Sequence, residues 1–326
     1  MTPPSRPITP TSFQQAVLCD AHLEHHSNNS VRTDRTGSPV RKCRRITNQK
    51  LLRSDVPLPV HLPVAKFPFH LDYTGGWWNA QALFASDPSL QERKQQHMWS
   101  LLNRVDFAGM AETHGTDGHA TACTLPDSSD FFWSHGETRF NAGVGLAVKK
   151  SFLQHFNPPS PTDWCEMEPG RLAKLPLRGP NGSLDLVVAY LPTGSGTDGE
   201  KKRLLDVLLH NMAPREEVLT LVMGDWNFVT DNVDRFSSSI KTHTGQTDKP
   251  VADHFHKSFI ATALLAELEQ DAYTHQNSLG SSRIDRIYST HCISDQLDRH
   301  FSINALHKSP LSTHRPLIFS RKSRLI

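Results

Sequence analysis

Residues 67–320 of this 326-residue chain alternate between short apolar runs typical of buried strands and stretches with the apolar spacing of amphipathic helices. Short apolar runs at residues 76–83, 106–112, 131–133, 144–148, 218–223 and 283–288 predict strands. Amphipathic stretches at residues 88–105 and 200–212 predict helices, and further helices are predicted near 251–268 and over 293–300. Strands near 301–306 and 316–319 complete the pattern.

One hairpin is indicated by its turn chemistry. Residues 171–177 and 183–190 flank Pro180-Asn181-Gly182, and Asn-Gly between apolar runs favours a tight turn because both residues tolerate positive φ. Residues 230–250 are predicted to form a polar loop. Hairpins mixed with helices predict an α/β (α+β) fold, a four-layered sandwich of two packed mixed β-sheets flanked by helices.

The N-terminal segment differs from the rest in composition. Residues 1–65 are rich in Pro, Ser, Thr, Asn and Arg without sustained periodicity, which predicts disorder, with one folded domain over residues 66–322. This segment holds nine Lys/Arg and four Asp/Glu, leaving 26 basic and 29 acidic residues of the chain's 35 and 33. The basic run at residues 41–45 is typical of a solvated tail, or of a nuclear-localisation or nucleic-acid-contacting arm.

Composition also bounds the compartment. The five cysteines are widely spaced without a C-x-x-C pair, which is typical of reduced thiols inside the cell. No apolar run of spanning length and no signal-peptide core is found, so we expect no membrane association. We expect an intracellular protein, with the nucleus favoured over the cytoplasm.

Polar residues end several of the predicted strands. Asp225 and Asn227 follow the buried run 218–223, and a carboxylate beside an amide suits a hard divalent cation or an attacking water. In isolation such residues are usually turn formers. Similar strand-end positions are held by Asn79, Glu112 and Tyr190.

Taken in order, the segments WNAQALF, ETHG, GVGLAVK, GDWN, SRIDRIY and LSTHRPLIF resemble the endonuclease/exonuclease/phosphatase superfamily. Within it they are similar to the apurinic-endonuclease-like domains of non-LTR (LINE-type) retrotransposons. The resemblance covers roughly residues 67–320, about the size of one domain. It implies Mg²⁺-dependent cleavage of phosphoester bonds, with Mn²⁺ as a substitute, and DNA as the partner. No obligate protein partner is indicated.

The resemblance also implies roles for the polar residues. Glu112 would bind the metal with the amide of Asn79 nearby. Asp225 would orient or deprotonate the attacking water, and Asn227 would donate to the phosphate oxygens. Tyr190 would bind the phosphate through its hydroxyl, although a core tyrosine is an equal alternative.

The second half of the implied site centres on a histidine. His314 would stabilise the oxyanion or assist the leaving group, and Asp285 would orient its ring. Arg283 and Arg315 would contact substrate phosphates by forked donation, with surface ion pairs as the alternative. Strand alternation predicts that Arg283 shares a face with Asp285 and that Arg286 points the other way.

Two positions depart from the superfamily pattern. Thr313 stands where most members have a metal-binding Asp, and Thr193 ends a motif that is commonly Pro-Asn. A neutral hydroxyl predicts a weaker metal site. Three functions therefore remain open: a DNA-nicking endonuclease, a phosphatase or phosphodiesterase for a small or lipid substrate, and a catalytically decayed relic of the same fold.

Overall fold

Two six-stranded β-sheets form the centre of the protein in a computed structural model, which describes residues 63–122, 125–138, 142–244, 248–291 and 300–322. The strands are β1 (Tyr73–Asn79), β2 (Phe107–Ala111), β3 (Ser129–Ser134), β4 (Val144–Lys149), β5 (Cys165–Glu168), β6 (Leu172–Gly179), β7 (Gly182–Tyr190), β8 (Leu219–Asp225), β9 (Arg235–Ser237), β10 (Thr242–His243), β11 (Ala266–Glu267), β12 (His275–Gln276), β13 (Gly280–Ser282), β14 (Asp285–Ser289), β15 (His300–Ala305) and β16 (Leu317–Lys322). The helices are α1 (Pro88–Leu102), α2 (Asp117–Ala122), α3 (Lys150–Leu153), α4 (Asp198–His210), α5 (Lys249–His254) and α6 (Ala261–Ala263).

Both large sheets are mixed. The first has the order β15-β16-β1-β2-β4-β3, and the second has the order β11-β14-β8-β7-β6-β5. Strands β1 and β2 are parallel, as are β7 and β8, whereas the other pairs within these sheets are antiparallel. A separate four-stranded sheet has the order β10-β9-β13-β12.

Three apolar clusters account for the layering. The largest lies between the two sheets and includes Trp77, Phe107 and Met223, each fully buried. A second cluster packs α4 and α5 on the outer face of the second sheet, and a third packs α1 on the outer face of the first. Each buried aliphatic or aromatic side chain stabilises the fold by about 1.5–3 kcal/mol. The predicted four-layered sandwich is confirmed.

Local sequence explains the helix and turn that were expected. Asp87 caps α1 by accepting a hydrogen bond from the amide of Leu90 at 2.8 Å, and Pro88 opens the helix, where its missing N–H costs nothing. The predicted hairpin is formed by β6 and β7, and Gly182 adopts a φ of +105° at the turn. A side chain there would also meet the backbone of Phe69.

Other predictions need correction. The helix predicted over 251–268 is α5, a π-helical turn Phe255–Ile260 and α6, and it ends where Leu264 adopts a φ of +53°. Residues 266–267 instead form β11, which pairs with β14. The predicted polar loop 230–250 contains β9 and β10, and β5 was missed because strands this short carry no readable periodicity.

Some predictions fall outside the described residues. The N-terminal segment to residue 62 and most of the helix predicted over 293–300 are among them, and residue 300 begins β15. The domain boundaries stay predictions. Within the described ranges, no helix is both long and apolar enough to cross a membrane.

Candidate active site

The sheet topology brings polar strand ends to one edge of the sandwich. Asn79 ends β1, and Glu112 directly follows the parallel neighbour β2. In the second sheet, Asp225 at the end of β8 pairs in register with Asp285 at the start of the antiparallel β14. His314 lies three residues before the start of β16, which runs antiparallel to β1. Five residues that are distant in sequence therefore meet at this edge.

Asn79 links the two acids of this cluster. Its Nδ2 donates to Glu112 Oε1 and to Asp225 Oδ2, each at 2.8 Å, and its Oδ1 accepts from the amide of Gln81 at 3.0 Å. The side chain is fully buried. This arrangement indicates that Asn79 bridges and positions the two carboxylates. The metal-ligand role predicted for Asn79 stays a prediction.

His314 and Asp285 form a buried pair. His314 Nδ1 donates to Asp285 Oδ2 at 2.8 Å, and Trp77 Nε1 donates to Asp285 Oδ1 at 2.9 Å. Burial alone would lower the pKa of His314, but the charge and hydrogen bond of Asp285 outweigh it and raise that pKa to about 9. Burial would raise the pKa of Asp285, but His314 and Trp77 lower it. The ring is therefore an imidazolium near neutral pH, oriented by a carboxylate.

Asp225 faces this imidazolium, and its pKa is shifted in the opposite direction from that of Asp285. Its Oδ2 lies 3.9 Å from His314 Nε2. Burial, and then the charge of Asp285, raise the pKa of Asp225 well above the ordinary carboxyl value, although His314 partly offsets them. A carboxylate with a raised pKa is a better proton acceptor near neutral pH.

The two residues after Asp225 contact different parts of the protein. Trp226 turns away from the site and is fully buried in the helical layer. Asn227 adopts a φ of +49°, a conformation that Asn tolerates better than most residues, and its Nδ2 donates to the carbonyl of Leu191 at 2.8 Å. Lys201 Nζ donates to the carbonyl of Asn227 at 2.8 Å. One hydrogen of the Asn227 amide is thus used internally, and its donation to a phosphate stays a prediction.

Tyr190 is a core residue by its ring, and its binding of a phosphate stays a prediction. The ring belongs to the apolar cluster between the sheets, and its hydroxyl lies close enough to Glu112 for that carboxylate to affect its pKa. Burial, and then the charges of Glu112 and Asp225, raise the pKa of this phenol. The hydroxyl therefore stays protonated, as a hydrogen-bond donor to a phosphate must be.

The loop that carries Thr313 is tied to the end of β1. The amide of Thr313 donates to Gln81 Oε1 at 2.7 Å, and Ser312 Oγ donates to the carbonyl of Asn79 at 2.8 Å. The Thr313 hydroxyl is buried and has no hydrogen-bond partner among the described residues. Sequence reasoning missed Gln81, although it lies only two residues from Asn79 in the same motif.

His275 was also missed. Its ring centroid lies 4.8 Å from that of His314, and the two residues form an isolated backbone bridge. Burial, and then the charge of His314, lower the pKa of His275 to about 4, so this ring is neutral. Its position at the start of the short strand β12 gave no pattern that could have revealed it.

The arginines of the two C-terminal motifs, Arg283, Arg286 and Arg315, use their guanidinium groups internally. Arg283 pairs with Asp234, with 2.7 Å between Nε and Oδ1, and with Glu267, while Arg286 Nη2 lies 2.7 Å from Asp234 Oδ2. Arg315 Nε donates to the carbonyl of residue 306 at 2.8 Å. These contacts argue against the phosphate-binding roles predicted for Arg283 and Arg315, which no observation tests directly.

The alternation predicted for this segment is wrong for Arg283, which does not share a face with Asp285, and agrees with the structure for Arg286, which points away from the side of Asp285. Arg283 and Arg286 both reach Asp234, whereas Asp285 points to His314. Strand β14 begins at Asp285, so strict alternation does not extend back to Arg283.

The cluster can be tested for its fit to a divalent cation. Ligand atoms of Glu112, Asp225 and His314 all lie within 4.8 Å of one another. A metal-binding histidine must be neutral, and His314 is cationic, so the oxygen donors Glu112 and Asp225 are the better ligands. Mg²⁺ is commonly held by one or two carboxylates, with waters and substrate phosphates completing its shell. The residues present fit such an ion.

Comparison with known proteins identifies a family and structures of similar fold. A sequence model described as Endonuclease/Exonuclease/phosphatase family matches residues 76–302. No curated protein sequence matches the chain. The fold is similar to that of the AP endonuclease LMAP from Leishmania major, at 15% identity and a TM-score of 0.57, covering 77% of this chain and 88% of that one.

Two further solved structures are similar in fold. An AP endonuclease from Archaeoglobus fulgidus has 19% identity and a TM-score of 0.53, with 76% of this chain and 98% of that one covered. A humanized D. rerio TDP2 carrying 14 mutations has 15% identity and a TM-score of 0.52, with 77% and 99% covered. At these identities the likeness concerns the fold alone.

Proposed function

Because the chain belongs to the Endonuclease/Exonuclease/phosphatase family, we propose that it is a Mg²⁺-dependent phosphodiester hydrolase that nicks DNA, related to the endonucleases of LINE-type retrotransposons. One observation carries this proposal: Glu112, Asp225 and the Asp285-oriented His314 converge at a single edge of the sandwich. The ordered motifs from WNAQALF to LSTHRPLIF support the retrotransposon relationship. A nuclear location would follow from a DNA substrate.

The residues supply a proton acceptor, Asp225, and a cationic hydrogen-bond donor, His314, 3.9 Å apart at one site for a reacting phosphate. Asp225 takes a proton from the attacking water as its oxygen bonds to phosphorus. The bond from phosphorus to the leaving oxygen breaks, and the imidazolium of His314 stabilises the negative charge that develops. Asp285 keeps the ring oriented and charged throughout. Tyr190 and Asn227 donate hydrogen bonds to the phosphate oxygens.

Glu112 and Asp225 would hold the divalent cation, with Mn²⁺ able to replace Mg²⁺. When bound, the cation supplies Lewis-acid polarisation of a phosphate oxygen and offsets negative charge. Burial, and then the charge of Asp285, raise the pKa of Asp225 in the metal-free protein, so a bound cation would stabilise its charged form.

Two other functions are addressed by the same test. Thr313 in place of a carboxylate favours a catalytically decayed relic, because the metal site has one charged ligand fewer than most of the superfamily. Hydrolysis of a small or lipid phosphoester would use the same cluster. The acidic balance of residues 66–326 is the observation that favours a small substrate over DNA.

The test is a substrate panel with a matched inactive variant. Supercoiled plasmid, duplex DNA with one abasic site and bis(4-nitrophenyl) phosphate are each incubated with Mg²⁺, Mn²⁺ or EDTA. We expect metal-dependent nicking of DNA that is abolished in Asp225→Asn, which keeps side-chain size but removes both the proton acceptor and one charged metal ligand. Cleavage of only the small diester would replace DNA as the substrate. A folded wild-type protein that is inactive on all three would support the relic.

A further inference from the structure

Arg171 lies at the active-site edge directly beside Tyr190. It precedes β6, and since Leu172 pairs with Ala189 in the antiparallel ladder, Arg171 is level with the end of β7. Its Cζ lies 4.7 Å from the centroid of the Tyr190 ring. The charges of Glu112 and Asp225 both raise the pKa of the same tyrosine, and the charge of Arg171 lowers it. Arg171 and the acidic cluster therefore both lie close to Tyr190.

The backbone around Arg171 is firmly fixed. The amide of Arg171 donates to the carbonyl of Glu168 at 3.0 Å, and its carbonyl accepts from the amide of Tyr190 at 2.8 Å. Gly170 adopts a φ of +69°, and a Cβ there would lie 2.7 Å from the backbone of Gly136. A loop held this closely presents its side chain in a defined direction.

Within the described ranges, Arg171 makes no direct ion pair of the kind that its neighbour makes, although its charge contributes to the lowered pKa of Glu200, after the larger effects of Arg203. In the described part of the chain, Arg171 has no carboxylate within ion-pair distance, whereas Arg203 pairs with both Glu168 and Glu200. Arg171 Nη1 is buried and has no hydrogen-bond partner among the described residues. A buried N–H without a partner is costly unless a ligand completes its bonding.

We propose that Arg171 is a substrate-binding residue whose guanidinium donates to a phosphate of the DNA backbone next to the site occupied by the scissile phosphate. This inference rests on the proposed function. It explains how a domain with an acidic balance and internally paired arginines binds a polyanion. Arginine suits this task because it stays charged, donates in a fork and stacks on an aromatic face at the same time.

A purely structural role has to be separated from phosphate binding. Arg171 stacked on Tyr190 could serve only to hold that ring in place through a cation–π contact. In that case its removal would lower stability or turnover but would leave the electrostatics of DNA binding unchanged. The salt dependence of binding distinguishes the two roles, because each neutralised phosphate contributes about −0.9 to the slope of log K against log salt.

The experiment measures the affinity of the full chain for a short duplex in EDTA, by fluorescence anisotropy, over a range of NaCl concentrations. Arg171→Met and Arg171→Gln remove the charge, Arg171→Lys keeps it, and Arg203→Met is the control for loss of an exposed, already paired arginine. Thermal unfolding identifies any variant that does not fold, and Gln replaces Met if Met fails.

We expect Arg171→Met or Arg171→Gln to bind roughly tenfold more weakly and to lower the magnitude of the salt slope by about 1. Arg171→Lys should retain the wild-type slope, and Arg203→Met should match wild type in both values. A wild-type slope in the folded Met and Gln variants would overturn the inference, as would a wild type that does not bind DNA.

Binding in EDTA needs no turnover, so the two proposals can fail separately. A protein that never nicks DNA but shows the altered slope in Arg171→Met keeps Arg171 as a phosphate contact and loses the proposed hydrolysis. A protein that nicks DNA with an unchanged slope keeps its activity and loses the role of Arg171.

Discussion

Replacing Asp285 by asparagine removes the charge that keeps His314 protonated. The amide has nearly the size of the carboxylate, but its single oxygen can accept from Trp77 Nε1 or from His314 Nδ1 and not from both, whereas the carboxylate accepts from Trp77 at 2.9 Å and from His314 at 2.8 Å. The negative charge and one of the two acceptors are therefore lost. Without that charge, burial dominates and the pKa of His314 falls from about 9 to its ordinary value near 6.5 or below.

The expected loss of activity therefore grows with pH. A fall in the His314 pKa from about 9 to about 6.5 corresponds to about 3 kcal/mol. If the imidazolium is the active form, its population in Asp285→Asn is nearly that of wild type at pH 6. It is about 30-fold lower at pH 8 and on the order of 150-fold lower at pH 9.

The assay is single-turnover cleavage of DNA by wild type and Asp285→Asn between pH 6 and pH 9 at saturating Mg²⁺. Asp206→Asn is a matched control, since Asp206 Oδ1 also lies 2.8 Å from a histidine, His254 Nε2, but on the surface. The control should follow wild type at every pH. A ratio of wild type to Asp285→Asn that is constant across this range would refute the reasoning, because it would mean that Asp285 supplies something other than charge.

Three further predictions concern the same cluster. Thr313→Asp restores a carboxylate, so the Mg²⁺ concentration for half-maximal nicking should fall; an unchanged metal titration would mean that other ligands compensate. Trp77→Phe removes a hydrogen-bond donor to the buried Asp285 carboxylate, and this should lower the free energy of unfolding in urea by about 1.5–3 kcal/mol beyond the packing loss. The indole of Trp226 donates only to a neutral carbonyl at 3.2 Å, so Trp226→Phe should lose less from its hydrogen bond. Equal losses of unfolding free energy in the two variants would contradict a charged Asp285 as the acceptor for Trp77. In the metal-free protein, the raised pKa of His314 stabilises the fold fully below about pH 6.5, and this stability is lost as pH rises through about 9. The free energy of unfolding of wild type should therefore exceed that of His314→Gln at pH 6 and approach it at pH 9.5, and a difference that widens with pH would contradict the assignment.

The strand-end residues could be predicted from sequence because each follows or precedes an apolar run. Asp225 after β8 and Asp285 at the start of β14 are of this kind, and sheet pairing then brings them together in register. The hydrogen bond from Trp77 to Asp285 could not be foreseen, since it joins residues 208 positions apart across two packed sheets. Its existence depends on the packing of the sheets and not on any local pattern.

The errors have equally local causes. The opposed faces predicted for Arg283 and Arg286 assumed a strand that began before Asp285, whereas β14 begins at that residue. The helix predicted near 251–268 from hydrophobic spacing is too long. The observed helix ends at the left-handed conformation of Leu264. Arg171 carried no signal because its importance comes from its place beside Tyr190, across the ladder of β6 and β7.

The most direct test of the central claim is the nicking of supercoiled plasmid by wild type and His314→Ala, each with Mg²⁺ and with EDTA. The account predicts Mg²⁺-dependent conversion to open circles by wild type and a loss of several orders of magnitude in a His314→Ala protein that remains folded. Nicking by His314→Ala at the wild-type rate would contradict the assignment of this cluster as the catalytic site.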